Sequence, residues 1–130
     1  MKNNTQVISN MTIVQNLHTS ASWRVDCPVS TECHYVKVRS IIVNGAQTND
    51  NNIYLLKSNL PINDPNNILL SFSGINTFPN VLSPNTLFKL QNKLPNVLQF
   101  AVQQDSPNNA VATVGDTKLC FQLEFLKLEN

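Results

Sequence analysis

The fold class is decided by the stretch Lys118-Leu119-Cys120-Phe121-Gln122-Leu123-Glu124-Phe125. Apolar side chains recur at every second position from Leu119 to Phe125, and the polar residues Gln122 and Glu124 lie between them. A strand places such alternating residues on one face, whereas a helix would scatter them around its axis. The stretch therefore predicts a half-buried β-strand.

The same period of two occurs earlier, in Tyr35-Val36-Lys37-Val38-Arg39-Ser40-Ile41-Ile42-Val43. We expect Val36, Val38 and Ile42 to share the buried face, with the two basic residues on the opposite face. The pair Asn44-Gly45 follows this run and is a strong signal for a turn after a strand.

Weaker strand candidates share short runs of apolar or β-branched residues bounded by turn-forming residues. They cover residues 7–14, 20–25, 53–57, 68–72, 87–90, 97–102 and 111–114. Polar turn clusters lie at residues 47–52, 59–67, 74–84 and 104–109, and a short helical turn is the alternative for residues 85–91. Eight or nine strands without a long helix predict a sandwich or barrel.

The composition supports a single all-β domain. The 130 residues are 42% apolar and only 13% charged, and 20 of them are Asn. Asn is unfavourable inside helices and tolerates the positive φ angles that turns require. We therefore predict a polar N-terminal arm at residues 1–6 and one antiparallel β-sandwich at residues 7–130.

Charge and hydropathy restrict the classes of partner. The formal net charge is +1, and the basic residues are spread singly, so no nucleic-acid partner is expected. No apolar run is long enough to span a bilayer, and the polar N-terminus lacks the apolar core of a secretory signal. The sequence therefore predicts neither a membrane partner nor a transmembrane segment.

Few residues are suited to catalysis. Only His18 and His34 could act as bases near neutral pH, and a nucleophilic site would need a cysteine beside one of them. Cys33 and His34 are sequence neighbours, but adjacent residues of a strand point to opposite faces. Cys120 lies within the alternating C-terminal strand. We predict a protein that is not an enzyme, with no catalytic residues and no cofactor.

Metal binding is weighed for two groups of residues. Cys27 and Cys33 are separated by five residues, more than the two to four that are usual between paired zinc ligands. A disulfide between these two cysteines is the alternative if the protein meets an oxidising environment. Completing a zinc site with His34 would need Cys120 or His18 as a further ligand. Three loop residues could contribute to a calcium site without forming a patterned loop: Asp50, Asp64 and Asp105. No metal site is predicted.

Four aromatic residues lie outside the strongest apolar faces. Trp23, Tyr35, Tyr54 and Phe78 could line a surface for a sugar or a protein, because flat rings provide a large contact area. The alternative for each is a place in the core. Trp23, Tyr54 and Phe78 are kept as candidate surface aromatics.

The C-terminal strand is followed by two leucines that alternate with charged residues. Leu126 and Leu128 fall on the same face as Glu124 if the period of two continues, and that face is expected to meet solvent. We therefore predict that both leucines lie against a neighbouring subunit or a covering loop.

An eight-stranded, helix-poor domain of this length with long irregular connections resembles a single jelly roll. With its low charge, abundant Asn and polar N-terminal arm, the chain is similar to small jelly-roll structural proteins of DNA viruses, of the penton, minor-capsid, fibre or spike-head type. The resemblance implies a structural protein that self-assembles into a homo-oligomer and contacts other virion proteins. It also implies localisation in the virion, after assembly in the host cell.

Two other functions remain open at this point. One is a soluble binding module, lectin-like or receptor-binding, that uses its loop clusters. The other is an accessory domain attached to an enzyme, since a fold does not determine a function. A shell component should expose apolar area on its sides, whereas a monomeric binder should confine it to one loop-rimmed patch.

Overall fold

The computed structural model describes residues 4–17, 20–45, 53–73, 80–104 and 117–129. The elements within these ranges are eight strands: β1 (Asn4–Asn16), β2 (Ser22–Asp26), β3 (Tyr35–Gly45), β4 (Ile53–Ser58), β5 (Ile68–Ser73), β6 (Asn80–Lys89), β7 (Val97–Gln104) and β8 (Thr117–Glu129). The expected strand at 111–114 lies outside the described residues. No helix in the described ranges has the length and hydropathy needed to cross a membrane.

The strands form two four-stranded sheets that pack as a sandwich. The first sheet has the order β1-β8-β3-β6, and the second has the order β2-β7-β4-β5. Every pairing is antiparallel. Strands that are consecutive in the chain mostly lie in opposite sheets, as in the two Greek keys of a jelly roll. The predicted antiparallel β-sandwich with jelly-roll topology is confirmed.

The core lies between the inner faces of the two sheets. Phe121 of the first sheet and Phe100 of the second meet edge to face, with ring centroids 5.5 Å apart. The alternating residues of the C-terminal strand are fully buried, as the sequence predicts, and the other largest buried side chains are Phe100, Leu56, Leu60, Leu98, Val36, Val38 and Val102. Burial of this apolar surface is the main stabilising contribution to the fold.

The first strand starts earlier than expected. Residues Asn4, Thr5 and Gln6 were assigned to a polar arm, but they begin β1 and pair with the last residues of β8. All three are exposed. The reason is the length of β8, which continues to Glu129 and offers backbone partners beyond the apolar core.

The helical alternative for residues 85–91 and the turn predicted at 74–84 are both wrong where β6 lies. Residues Asn80–Lys89 form a strand that pairs with β3, with Phe88 opposite Val36. Pro84 is tolerated because β6 is an edge strand, where a missing backbone donor disrupts no second ladder. Long-range pairing therefore overrides the local turn signal.

An irregularity in β3 changes the expected pattern of its second half. Val36 and Val38 are fully buried, as predicted. The register then shifts between Arg39 and Ile42, and Ile42 pairs with Cys120, whereas Val38 pairs with Leu123. Such a bulge inserts one residue and breaks the period of two. In the ladder, Ile42 is therefore paired with Cys120 and not with the β8 row of Leu123 and Phe125.

Two of the candidate surface aromatics, Tyr54 and Trp23, pack in or against the core. Tyr54 is buried, because alternate residues of β4 face the core. Trp23 is half-buried, packs against the core and stacks on Phe100 with centroids 5.6 Å apart. Tyr35 is half-buried at the start of β3, and Phe78 lies outside the described residues. The core alternative thus holds for Tyr54, whereas Trp23 packs against the core with part of its surface still exposed.

Candidate binding surfaces

Exposed apolar side chains are concentrated on one face of the sandwich. Among the described side chains, the exposed large hydrophobic ones are Val7, Val14 and Leu87, with 45%, 63% and 50% of their surfaces accessible. Val7 and Val14 pair with Leu126 and Cys120 of β8, and Leu87 pairs with Lys37 of β3. These partners all belong to the outer face of the first sheet.

The two valines share this face because of a bulge in β1. Seven positions separate Val7 from Val14, so a regular strand would place them on opposite faces. The register shifts between Val7 and Ser9, which leaves Ile8 as the extra residue. Ile8 packs against the core, and Val7 is returned to the outer face.

The exposed apolar residues occupy opposite edges of the face. Val7 and Val14 lie on β1, which is one edge strand of the first sheet, and Leu87 lies on β6, which is the other. We call them the β1 edge patch and the β6 edge patch. Both edges of this face therefore leave apolar surface accessible to solvent.

The middle of the same face, between Cys120 and Leu126 of β8, carries polar side chains. The Arg39 guanidinium donates to Glu124 across neighbouring strands at 3.0 Å, and Gln122 donates to the Thr12 hydroxyl at 3.3 Å. Arg39 remains half exposed, so this pair contributes little to stability. The polar centre is therefore suited to solvent, between two apolar edges.

The two leucines predicted at an interface differ in burial. Leu126 is buried within the single chain, with 5% of its surface exposed, beside the Cys33-His34 segment that bonds to its carbonyl. It therefore needs no second subunit to cover it. Leu128 is half-buried and pairs with Thr5 of β1, one row beyond Val7. A subunit contact at Leu128 stays a prediction.

The edge strands differ in how they are protected from pairing with other chains. β1 has 13 residues and contains no charged residue and no proline. β2 is five residues long and charged, β5 is six residues long, and β6 contains Pro84. Charges, prolines and short length are the usual protection of edge strands. β1 is therefore the least protected edge of the described sheets.

A second region is a cavity of about 360 Å³ at one end of the sandwich, where Glu32, Cys33 and His34 meet the segment 90–94. The backbone N–H of Leu128 donates to His34 Nδ1 at 2.9 Å, so the ring proton must lie on Nε2. His34 Nε2 then donates to Glu32 Oε1, also at 2.9 Å. Both ring nitrogens are engaged, and His34 fastens the start of β3 to the end of β8.

The thiol in this cavity is not arranged as a nucleophile. Cys33 Sγ donates to the carbonyl oxygens of Tyr35 and Leu126 at 3.3 and 3.4 Å, not to His34. Burial raises the pKa of the Cys33 thiol above its usual value of 9.0, and the neighbouring Cys27 raises it further. A nucleophilic thiol needs the opposite shift. Cys33 and His34 therefore do not form a nucleophilic Cys–His pair.

The residues weighed for metals are used differently. The three cysteines are free thiols, and within the described ranges no three His, Cys, Asp or Glu side chains are grouped to hold a metal ion. Asp64 instead fixes a turn, since its Oδ2 accepts from the N–H groups of Asn66 and Ile68 at 3.1 and 2.9 Å. His18, Asp50 and Asp105 lie outside the described residues.

A third region is a shallow cavity of about 320 Å³ on the second sheet. Its lining is rich in side-chain amides and has one ammonium group; we call it the amide cleft and define it by Ser22, Lys57, Asn59, Asn66, Asn67, Gln99 and Ala101. Sequence reasoning missed this region because four separate segments contribute to it. It also missed the β1 edge patch, although the absence of charge from residues 4–16 is visible in the sequence.

The comparisons with known proteins extend the fold description. No known protein family and no curated protein matches the sequence. Among solved structures, the chain is similar to the Drosophila NLP core. The crystal structure of that protein is described as giving insight into pentamer formation and histone binding. The TM-score is 0.51 at 10% identity, over 91% of this chain and 98% of that chain. At this identity the likeness shows a shared β-sandwich fold.

The comparison corrects the function predicted from the viral resemblance. The matched structure is that of a pentamer-forming, histone-binding core, not a capsid or virion protein. The prediction of a virion component is therefore overturned. The resemblance was carried by the jelly-roll strand pattern alone, and that pattern occurs outside viruses as well.

Proposed function

We propose that the protein is a non-enzymatic binding module that works as a homo-oligomer, in which the β1 edge patch of one subunit packs against the β6 edge patch of the next. One observation carries this proposal. The exposed large apolar side chains of the described chain lie on one outer face, at its two opposite edges.

Two different patches on one subunit favour a heterologous contact. In such a contact each subunit offers one patch to each neighbour, and repetition closes a ring when the rotation allows it. The Drosophila NLP core, which has the same fold class, is described as forming pentamers. The net charge of +1 keeps repulsion between copies weak.

We do not propose that this chain binds histones. Histones are strongly basic, and a surface that binds them needs an excess of negative charge. This chain has 9 Lys and Arg against 8 Asp and Glu. The charge balance therefore favours another partner for the binding module.

Sedimentation velocity over a range of concentrations tests the subunit contact. Full burial of a Val or Leu side chain contributes about 1.5–3 kcal/mol, and association has its own entropic cost. We therefore expect the parent to form a reversible oligomer larger than a dimer. The double variant Val7→Ser/Val14→Ser and the single variant Leu87→Ser should each be monomeric and keep the β-sheet circular dichroism of the parent.

A mixture of the two variants separates a heterologous contact from a symmetric one. Each variant retains the patch that the other has lost, so an equal mixture should form dimers and nothing larger. Gln122→Ala, on the polar centre of the same face, is the matched control and should assemble like the parent. A monomeric parent, or a Leu87→Ser variant that still assembles, would contradict the proposal.

A further inference from the structure

The amide cleft lies on the outer face of the second sheet, away from the proposed subunit contact. Its floor is a row of opposed residues on three strands, Ser22 of β2, Ala101 of β7 and Lys57 of β4. Ser22 and Ala101 have small side chains, which leaves the face concave at this point. The volume of about 320 Å³ is at the lower end of the range for small-molecule sites and fits one sugar ring.

One wall of the cleft is held by the side chain of Asn59. Its Nδ2 donates to the carbonyl of Val97 at 3.0 Å, and its Oδ1 accepts from the N–H of Gln99 at 2.8 Å. These two bonds continue the pairing with β7 just beyond the end of β4. Asn59 is therefore a positioning residue, and Gln99 is left to face a ligand.

The opposite wall is the turn that presents Asn66 and Asn67. Besides the two bonds to Asp64 Oδ2, the N–H of Asn67 donates to the Asp64 carbonyl at 3.1 Å. Asn67 has a φ of 53°, which Asn tolerates better than most residues, and its carbonyl accepts from Ser58 N–H. The turn is thus fixed by backbone bonds, and in the described structure no hydrogen bond engages the side-chain amides of Asn66, Asn67 or Gln99.

The charge of the cleft is positive. Lys57 is its one charged lining residue and has no ion-pair partner among the described residues. Arg24 adds a second cation at the rim, since it pairs with Gln99 in the sheet and is exposed. Asp64 does not line the cleft, and its Oδ2 accepts from backbone N–H groups of the turn. The site therefore favours a ligand with a negative charge.

We propose that the amide cleft binds a sugar acid. Each amide side chain both donates and accepts hydrogen bonds, as sugar hydroxyl groups do, and the Lys57 ammonium is a donor for the sugar carboxylate. Asn66, Asn67 and Gln99 would bind the hydroxyl groups. This inference rests on the proposed binding module and names the class of its ligand.

Nuclear magnetic resonance titration with three probes tests the ligand class. D-glucuronate carries hydroxyl groups and a carboxylate, D-glucose carries hydroxyl groups without a carboxylate, and N-acetyl-aspartate carries two carboxylates and an amide without hydroxyl groups. We expect D-glucuronate to shift the resonances of Ser22, Asn67, Gln99 and Ala101 with a Kd on the order of 1 mM. The other two probes should shift them more weakly, because each meets only part of the site.

Two variants assign the roles, with one control. Lys57→Gln should lower the affinity for D-glucuronate about tenfold and leave the affinity for D-glucose unchanged. Asn67→Gly preserves the positive φ and removes the amide, so it should weaken the binding of both sugars. Lys37→Gln replaces another half-buried lysine, on the other sheet, and should bind like the parent.

The inference would be overturned by any of three results. These are no shifts in the cleft with any probe, unchanged D-glucuronate binding by Lys57→Gln, or equally strong binding of N-acetyl-aspartate. The titration is repeated with the Val7→Ser/Val14→Ser variant, so that sugar binding is measured apart from assembly. A parent that is monomeric in sedimentation would contradict only the subunit contact, and a silent cleft in an assembled parent would contradict only the ligand.

Discussion

The outer faces of the two sheets differ although they cover the same core. The face of the first sheet has apolar side chains at both edges and a polar network at its centre. The face of the second sheet has amides, hydroxyls and one ammonium group around a shallow cavity. One face is thus suited to contact with copies of the chain, and the other to a small polar ligand.

This difference shows how a sandwich separates stability from function. The inner residues, such as Phe100 and Phe121, are almost fully buried and set the stability of both sheets. Alternate residues of the same strands point outward, where a substitution has little effect on the core. Each outer face can therefore change its chemistry without changing the fold.

Phe121→Ala should destabilise both sheets at once, and with them both outer faces. Phe121 is fully buried and contacts the Phe100 ring of the other sheet, so its truncation leaves a cavity. We expect the free energy of unfolding to fall by about 3–5 kcal/mol in urea titrations. Gln122→Ala, the exposed neighbour on β8, should change it by no more than about 0.5 kcal/mol. A loss at Phe121 as small as that at Gln122 would contradict the assignment of the core.

Asn59→Ala should affect only the face of the second sheet. The carbonyl of Val97 and the N–H of Gln99 would lose their partners, at a cost of about 1–3 kcal/mol in stability. Hydrogen exchange of the Gln99 amide should become faster, and sedimentation should show unchanged assembly. Asn92→Ala, at an exposed position, is the control. Unchanged exchange at Gln99 would show that the cleft wall does not depend on Asn59.

Arg39→Gln should affect only the centre of the first face. The pair with Glu124 joins β3 to β8, but Arg39 is 52% exposed in its side chain, so solvent screens the interaction. We expect a loss of about 0.2–1 kcal/mol that diminishes as salt is added. Assembly should persist, because the contact lies at the edges of the face. If Arg39→Gln produced monomers, the polar centre would belong to the interface.

The smallest expected effect concerns the Cys33 thiol, and it is measured as the pH dependence of the rate at which Cys33 is alkylated. Because burial raises the pKa of its thiol, the folded chain should react with iodoacetamide at higher pH than the same chain in urea, where the usual value of 9.0 applies. The folded state holds the thiol proton more tightly, so this contribution to stability is complete below pH 9.0 and declines as the pH rises above it. Equal pH profiles in both states would contradict the burial of Cys33.

The sequence was sufficient for the fold class and for the strongest strands. The alternation from Leu119 to Phe125 and the pair Val36 and Val38 predicted the buried faces of β8 and β3, and all of these residues are buried. Their period is a direct consequence of strand geometry, so it is visible in one chain. The Asn-rich turn at 59–67 was also predicted, and Asn67 does adopt a positive φ there.

The binding surfaces could not be predicted in the same way. The bulge at Ile8 places Val7 beside the row of Val14, and nothing in the local sequence announces it. The amide cleft joins residues from β2, β4, β7 and the turn before β5, which only the sheet order brings together. Pro84 favoured a turn, but it lies within β6, where the edge position of the strand tolerates a proline. Each of these features depends on pairing partners that are distant in the chain.

The position of β8 has a consequence for how the chain folds during its synthesis. β8 is the last strand, yet it lies between β1 and β3, and its bond from Gln122 to Thr12 spans 110 residues. Until β8 leaves the ribosome, β1 and β3 have no common partner, and Val36 and Val38 lack their cross-strand partners on β8. Closing so long a loop makes folding slow, and open strand edges can meet other nascent chains. The first sheet can therefore be completed only after β8 has been translated, and until then the uncharged β1 strand is exposed to incorrect pairing.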